Sequence, residues 1–135
     1  MIDAIEQRME FDAAPDRVWR ALTDGDELAR WFPDDAFDLA PNANGAFVWE
    51  KYGSYAVRVE RFEPPSLLAW RWTHKPDTDI DVDASTLVEF TLRARDDGGT
   101  ILELRETGFA TEAARQDNVN GWKHELGRLV ELLAS

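Results

Sequence analysis

The sequence predicts an α+β fold: a curved antiparallel sheet of about six strands wrapped around one long C-terminal helix, with two short helices after the first strand. Three observations carry this. Several successive segments alternate apolar and polar residues with period two, as half-buried strands do. The connections between the later strands are too short for the crossovers that parallel strands need. After Gly108 the apolar spacing changes to three and four and keeps that rhythm to Leu133, the pattern of an amphipathic helix. A sheet with one apolar face must be covered, and that helix is the only element large enough to do it.

Each element has its own signal. Ile5, Met9 and Phe11 share one parity while Glu6, Arg8 and Glu10 share the other, which makes the first strand. Ala13-Ala14-Pro15 ends it, and Pro15 suits a first helical position, where its missing N–H costs nothing. Val18, Trp19 and Leu22 then extend a short helix over residues 15–22. Asp24 with Glu27 three residues later resembles a capping box. It opens a second short helix over residues 25–31, with Leu28, Trp31 and Phe32 on its apolar side.

Residues 33–45, dense in Pro, Asp, Asn and Gly, read as loop. Phe47 and Trp49 begin the run of strands, which turns at Tyr52-Gly53-Ser54. Tyr55, Val57 and Val59 alternate with Ala56, Arg58 and Glu60. After a break at Glu63-Pro64-Pro65-Ser66, Leu68, Trp70 and Trp72 alternate with Leu67, Ala69 and Arg71. Residues 76–83 form a polar loop. The strand over 87–95 carries Val88, Phe90 and Leu92 on one face. The hairpin signal Asp97-Gly98-Gly99 joins it to a strand over 100–106, where Leu102 and Leu104 face the same way. The last helix starts between Thr111, which suits its N-cap, and Asp117. Its stripe is Val119, Trp122, Leu126, Leu129 and Leu133, widened by Val130 and Leu132.

Composition bounds the function. A length of 135 residues suits one domain, spanning 1–135. The formal net charge of −12 argues against nucleic acid, whose binding rests on Lys and Arg neutralising phosphates. With no cysteine there is no disulfide, thiolate nucleophile or Cys-ligated metal. No apolar run approaches the roughly 20 residues of a membrane helix. The N-terminal segment does not read as a signal peptide, so a soluble cytoplasmic protein is expected, without membrane insertion. The unusual count is six tryptophans.

The runs Ala14-Pro15-x-x-Val18-Trp19-x-Ala21-Leu22-Thr23, Trp31-Phe32 and Phe62-Glu63-Pro64-Pro65-x-x-Leu68 resemble the helix-grip superfamily, also called START-like, birch-pollen-allergen-like or SRPBCC. Trp70-Arg71-Trp72, Gly99-Thr100 leading into Leu102 and Leu104, Thr107-Gly108-Phe109 and Gly121-Trp122 are similar to one branch of it. That branch comprises proteins homologous to the activator of the heat-shock-protein-90 ATPase, here in a single-domain bacterial form. The resemblance covers nearly the whole chain. It implies a cavity between sheet and long helix that holds lipids, hormones or aromatic polyketides, in some members with cyclase or dehydratase chemistry. Its branch name implies a chaperone partner and a place in the stress response, although fold alone does not settle function.

The aromatic residues Phe32, Trp49, Tyr55, Trp70, Trp72, Phe90 and Trp122 fall on elements that would enclose such a cavity, where rigid rings suit an apolar or aromatic ligand. Each ring taken singly is read first as core filling, while the set together points to a pocket. Glu106 continues the inward series of Leu102 and Leu104, and His74 continues that of Leu68, Trp70 and Trp72. Inside a cavity either could serve as general acid or base. Charged groups are seldom buried unpaired, so an exposed pair at the sheet rim is the expected placement. Asn118 and Glu125 flank Trp122 at helical spacing and could approach the cavity, with helix-surface solvation the expected state. Gly121 could admit the sheet or ligand, or sit on the solvent face; Gly127 is expected on the solvent face.

Asp77, Asp79, Asp81 and Asp83 alternate, but Val82 and Val88 stand where an EF-hand needs Gly and Glu, so a solvated acidic loop is expected. His74 and His124 have no ligand spacing, and neither metal nor cofactor is expected. The sequence therefore points first to binding of a hydrophobic or aromatic small molecule. The alternatives are a cyclase or dehydratase-type enzyme and a chaperone-directed role, in a monomer or a homodimer formed through a sheet edge.

Overall fold

A computed structural model describes residues 2–81 and 84–134. Val82 and Asp83, part of the expected acidic loop, lie outside the described residues. The elements run β1 (Ile5–Phe11), α1 (Pro15–Thr23), α2 (Gly25–Trp31), β2 (Asn44–Trp49), β3 (Gly53–Glu63), β4 (Leu67–Thr73), β5 (Ser85–Ala94), β6 (Thr100–Thr107) and α3 (Glu112–Ala134). The strands form one antiparallel sheet in the order β1-β6-β5-β4-β3-β2, which places the first and second strands at opposite edges. The expected α+β architecture is thus the one observed.

Register decides which side chains face the helix. Val57 pairs with Trp72 and Val59 with Trp70, Phe90 lies opposite both Leu68 and Leu104, and Ile5 lies opposite Glu106. A register shift between Val59 and Arg61 inserts an extra residue in β3. Phe62, out of parity with Val57 and Val59, is thereby returned to the inner face. There it meets Trp19 of α1 edge-on at 5.3 Å. β5 begins two residues earlier than its sequence pattern suggests, which adds Thr86 to the inward series of Val88, Phe90 and Leu92.

Pro15 sits in the first turn of α1 as expected. Asp24 caps α2 by accepting from the backbone N–H of Glu27 at 3.1 Å. The reciprocal half of a capping box is absent: the Glu27 carboxylate turns instead to Arg17 and Arg20, at 2.6 and 2.8 Å. Trp31 is fully buried and its indole N–H donates to the Ala21 carbonyl at 2.8 Å, which ties the two short helices together. Thr111 accepts from the N–H of Ala114 and caps α3. Trp122, Leu126 and Leu129 are the buried line of α3. Val130 does not widen it, being 38% exposed, because it lies past the edge of the face that meets the sheet.

The segment between α2 and β2 is more than a loop. Asp35 bridges to Val48 at the outer edge of β2, Leu39 enters the core, and the Phe37 ring lies against Gly45. The backbone of Phe37 and Asp38 also passes so close to Gly25 that an added Cβ would lie 2.9 Å from the Phe37 carbonyl carbon. A Cβ at Gly127, by contrast, meets nothing within 4 Å. The same substitution should therefore have opposite signs at these two helical glycines. Gly25→Ala is expected to destabilise by about 1–3 kcal/mol through overpacking, and Gly127→Ala to stabilise by about 1 kcal/mol through helix propensity. Urea unfolding of the two variants checks this.

Candidate functional site

Two strands each send one group, and the long helix sends two, to a single point, the carboxylate of Glu106. Glu106 is on β6 and has no exposed surface. One oxygen, Oε2, accepts from the Trp72 indole N–H at 2.8 Å and from the Thr86 hydroxyl at 2.5 Å. The other, Oε1, accepts from the Trp122 indole N–H at 2.8 Å. The Asn118 amide donates to both, at 3.2 Å. These donors fill the roughly four lone-pair positions a carboxylate offers.

The expected rim placement of Glu106 is therefore corrected. Burial of an ionised carboxylate is unfavourable when its partners are missing, but here four side chains supply them. Burial, the largest influence, pushes the Glu106 pKa upward. The neighbouring His74 and the hydrogen bonds from Thr86, Trp122 and Trp72 more than reverse it, and the group is held below the usual carboxylate range.

His74 does lie at the rim, with 29% of its side chain exposed. Its Nε2 is 3.6 Å from Glu106, beyond hydrogen-bond reach, and 2.6 Å from the Thr86 hydroxyl. The single Thr86 hydroxyl proton goes to the ionised Glu106, so the Thr86 oxygen accepts from His74. Nε2 then carries a hydrogen, and Nδ1 is left as the basic nitrogen. The ring is held edge-on against Phe109 and Trp72, at 5.7 and 6.2 Å. Sequence reasoning missed Thr86; the signal was its parity with Val88, one step beyond the assumed start of the strand.

Above this network lies a cavity of about 280 Å³ between the sheet and α3. Phe32, Trp49, Tyr55, Trp72, Asn118 and Trp122 line it, together with His74. Tyr52, Thr73, Gly121 and Glu125 complete the lining. Trp70 and Phe90 are fully buried and do not line it. They lie deeper along their strands, packed on each other at 5.1 Å. Phe32 stands at the centre of the rings: it stacks on Trp122 at 5.1 Å and 11°, and meets Trp49 at a right angle.

Neither Asn118 nor Glu125 is simply solvated, since both form part of the cavity wall. Glu125 is raised in pKa by burial, with Arg128 at 3.5 Å opposing the shift. Gly121 has open space where a Cβ would be, so it does not serve close packing of helix on sheet. Tyr52, at the tip of the β2–β3 turn, is 60% exposed, and nothing in its sequence context marked it as a cavity residue.

Because the folded-state pKa of Glu106 is depressed, its contribution to stability is complete above the unfolded value of about 4.3. It is lost as pH falls through the lower folded value. Glu106→Gln replaces one acceptor by an NH₂ that faces other donors. It should cost about 2–4 kcal/mol, from one or two orphaned buried donors at about 1–3 kcal/mol each. Its unfolding free energy should also lack part of the acid-limb slope of the parent. Urea unfolding from pH 7 down to the acid limit measures both.

No curated protein matches the sequence significantly. Among solved structures, a protein from Mesorhizobium loti superposes with a TM-score of 0.85 at 23% identity, covering 98% of this chain and 97% of the other. CalU16 from Micromonospora echinospora gives 0.73 at 29% identity, covering 93% and 73%. The Aha1 dimer from Colwellia psychrerythraea gives 0.74 at 20% identity, covering 98% and 96%. No helix among the described residues is long and apolar enough to cross a membrane. Residues 12–134 match the family described as activator of Hsp90 ATPase homolog 1-like protein, and the chain belongs to that family.

Proposed function

We propose that the chain binds a hydrophobic or aromatic small molecule in the cavity between the sheet and α3. The observation behind this reading is the cavity's composition. Six aromatic rings and a few polar groups surround about 280 Å³, close to the lower end of the range usual for small-molecule sites. Two of the rings, Trp72 and Trp122, are fixed by their bonds to Glu106, so the walls are already ordered before a ligand arrives.

A second reading, acid–base chemistry in the same cavity, is favoured by the relay from His74 through Thr86 to Glu106. In that reading His74 Nδ1 exchanges the proton. Glu106, saturated with donors and absent from the lining, orients the imidazole through Thr86 without touching substrate. The family's description suggests a chaperone partner, and an ATPase-stimulation assay would test it. The cavity geometry does not require one.

Binding should change the emission of Trp49, Trp72 and Trp122, so intrinsic fluorescence titration with a broad panel of apolar and aromatic compounds is the direct test. Native mass spectrometry of the purified protein would identify any ligand it carries. Gly121→Leu places a side chain at the cavity wall from a Cβ position that meets nothing within 4 Å. It should leave stability at least unchanged while weakening a bound ligand about tenfold, the loss of roughly 1.4 kcal/mol of contact. Silence across the panel, with no co-purifying ligand, would refute the binding reading.

A further inference from the structure

We propose that the cavity is an aromatic cage selective for an organic cation, an amine or quaternary ammonium group carried on an apolar body. This rests on the small-molecule reading and adds the sign of the ligand's charge.

The rings form walls at steep angles to one another. Trp49 makes 88° with Phe32, 78° with Tyr55 and 55° with Trp72, at centroid separations of 5.2, 5.6 and 6.2 Å. Aromatic faces carry negative potential, and rings set at steep angles direct them several ways. Phe32 is itself stacked on Trp31 and Trp122, so the acceptor faces of the wall are those of Trp49, Tyr55 and Trp72. The fixed charge has the same sign. Among the described lining residues there is an acid, Glu125, and neither lysine nor arginine. Glu106 lies directly behind the wall, since Trp72, Asn118 and Trp122 all bond to it. Lys51 sits over the Tyr52 ring outside the lining, and Arg128 divides its guanidinium between Glu125 and the Arg30 carbonyl. His74 lines the wall with Nε2 directed to Thr86.

The indole bonds add a further effect. The N–H edges of Trp72 and Trp122 both donate to a carboxylate, and hydrogen bonds in such chains polarise one another. Electron density is returned to the two indole rings, which makes Trp72 a better cation acceptor and deepens the negative potential of the wall. Glu106 thus acts on a ligand it does not touch. The same arrangement opposes an anionic ligand, which would be desolvated beside two carboxylates with neither lysine nor arginine in the lining. The net charge of −12 draws cations toward the molecule from a distance.

The test uses three probes of nearly equal size: 2-(1-naphthyl)ethylammonium, 2-(1-naphthyl)ethanol and 1-naphthylacetate. Affinities are read from the shifts of the indole N–H signals in ¹H–¹⁵N NMR spectra at low ionic strength. The ammonium is expected to bind about tenfold or more tighter than the alcohol, the scale of a desolvated cation–π contact, with the acetate weakest. In Glu125→Gln the ammonium-to-alcohol affinity ratio should fall about threefold or more, as it also should in the parent at high salt. If the alcohol or acetate binds as tightly as the ammonium, the cation proposal fails and the cavity reading stands. If none of the three shifts any indole signal, the cation proposal fails, and the cavity reading is decided by the broad panel and the co-purified ligand.

Discussion

A carboxylate can lose all contact with water only if enough donors close around it first. Glu106 meets that condition with four groups from three elements: Trp72 on β4, Thr86 on β5, and Asn118 and Trp122 on α3. The apolar stripe of α3 would tolerate some sliding over a greasy sheet face, because hydrophobic contact has no direction. Two hydrogen-bonding side chains one turn apart do not tolerate it. A shift of the helix would strand a charge without partners, at a cost of about 3–5 kcal/mol for a broken buried ionic contact. The carboxylate therefore sets where the helix lies along the sheet.

The same constraint explains why the space above it stays open. A gap in a core ordinarily closes as neighbouring side chains swing in, since lost contacts are unfavourable. Trp72 and Trp122 cannot swing without giving up their bonds to Glu106, and Phe32 is stacked flat on Trp122. Phe32 in turn sits at the end of α2, which is tied to α1 by the Trp31 indole. The short helices thus serve the cavity by holding one ring in place, and the network beneath it holds the others. His74 shares in this order through Thr86, so the exposed end of the network is as well positioned as its buried end.

Strand parity made much of this arrangement legible. Trp72, Glu106 and Trp122 could be aimed at a common space because period two and period 3.6 are strict over short elements. Parity could not say whether a charged residue at a strand end remains inside. That depends on donors arriving from other elements, and Asn118 and Trp122 lie on a helix whose position the alternation does not specify. Thr86 was hidden for a simpler reason, since a threonine next to a polar loop looks like the loop. Phe37 and Leu39 were hidden in a stretch of Pro, Asp and Asn whose local chemistry is that of turns.

The amino-acid sequence by itself determined the fold class, the order of the elements, the inward face of each strand and the family to which the chain belongs. All of these follow from local periodicity, turn chemistry and short motifs. Only the tertiary structure decided that Glu106 is buried and ionised, that Trp70 and Phe90 are core while Trp49 and Trp72 are wall, and that Glu125 faces the cavity. Each of those outcomes depends on distances between groups far apart in the chain, and hydrogen bonding and burial act through those distances.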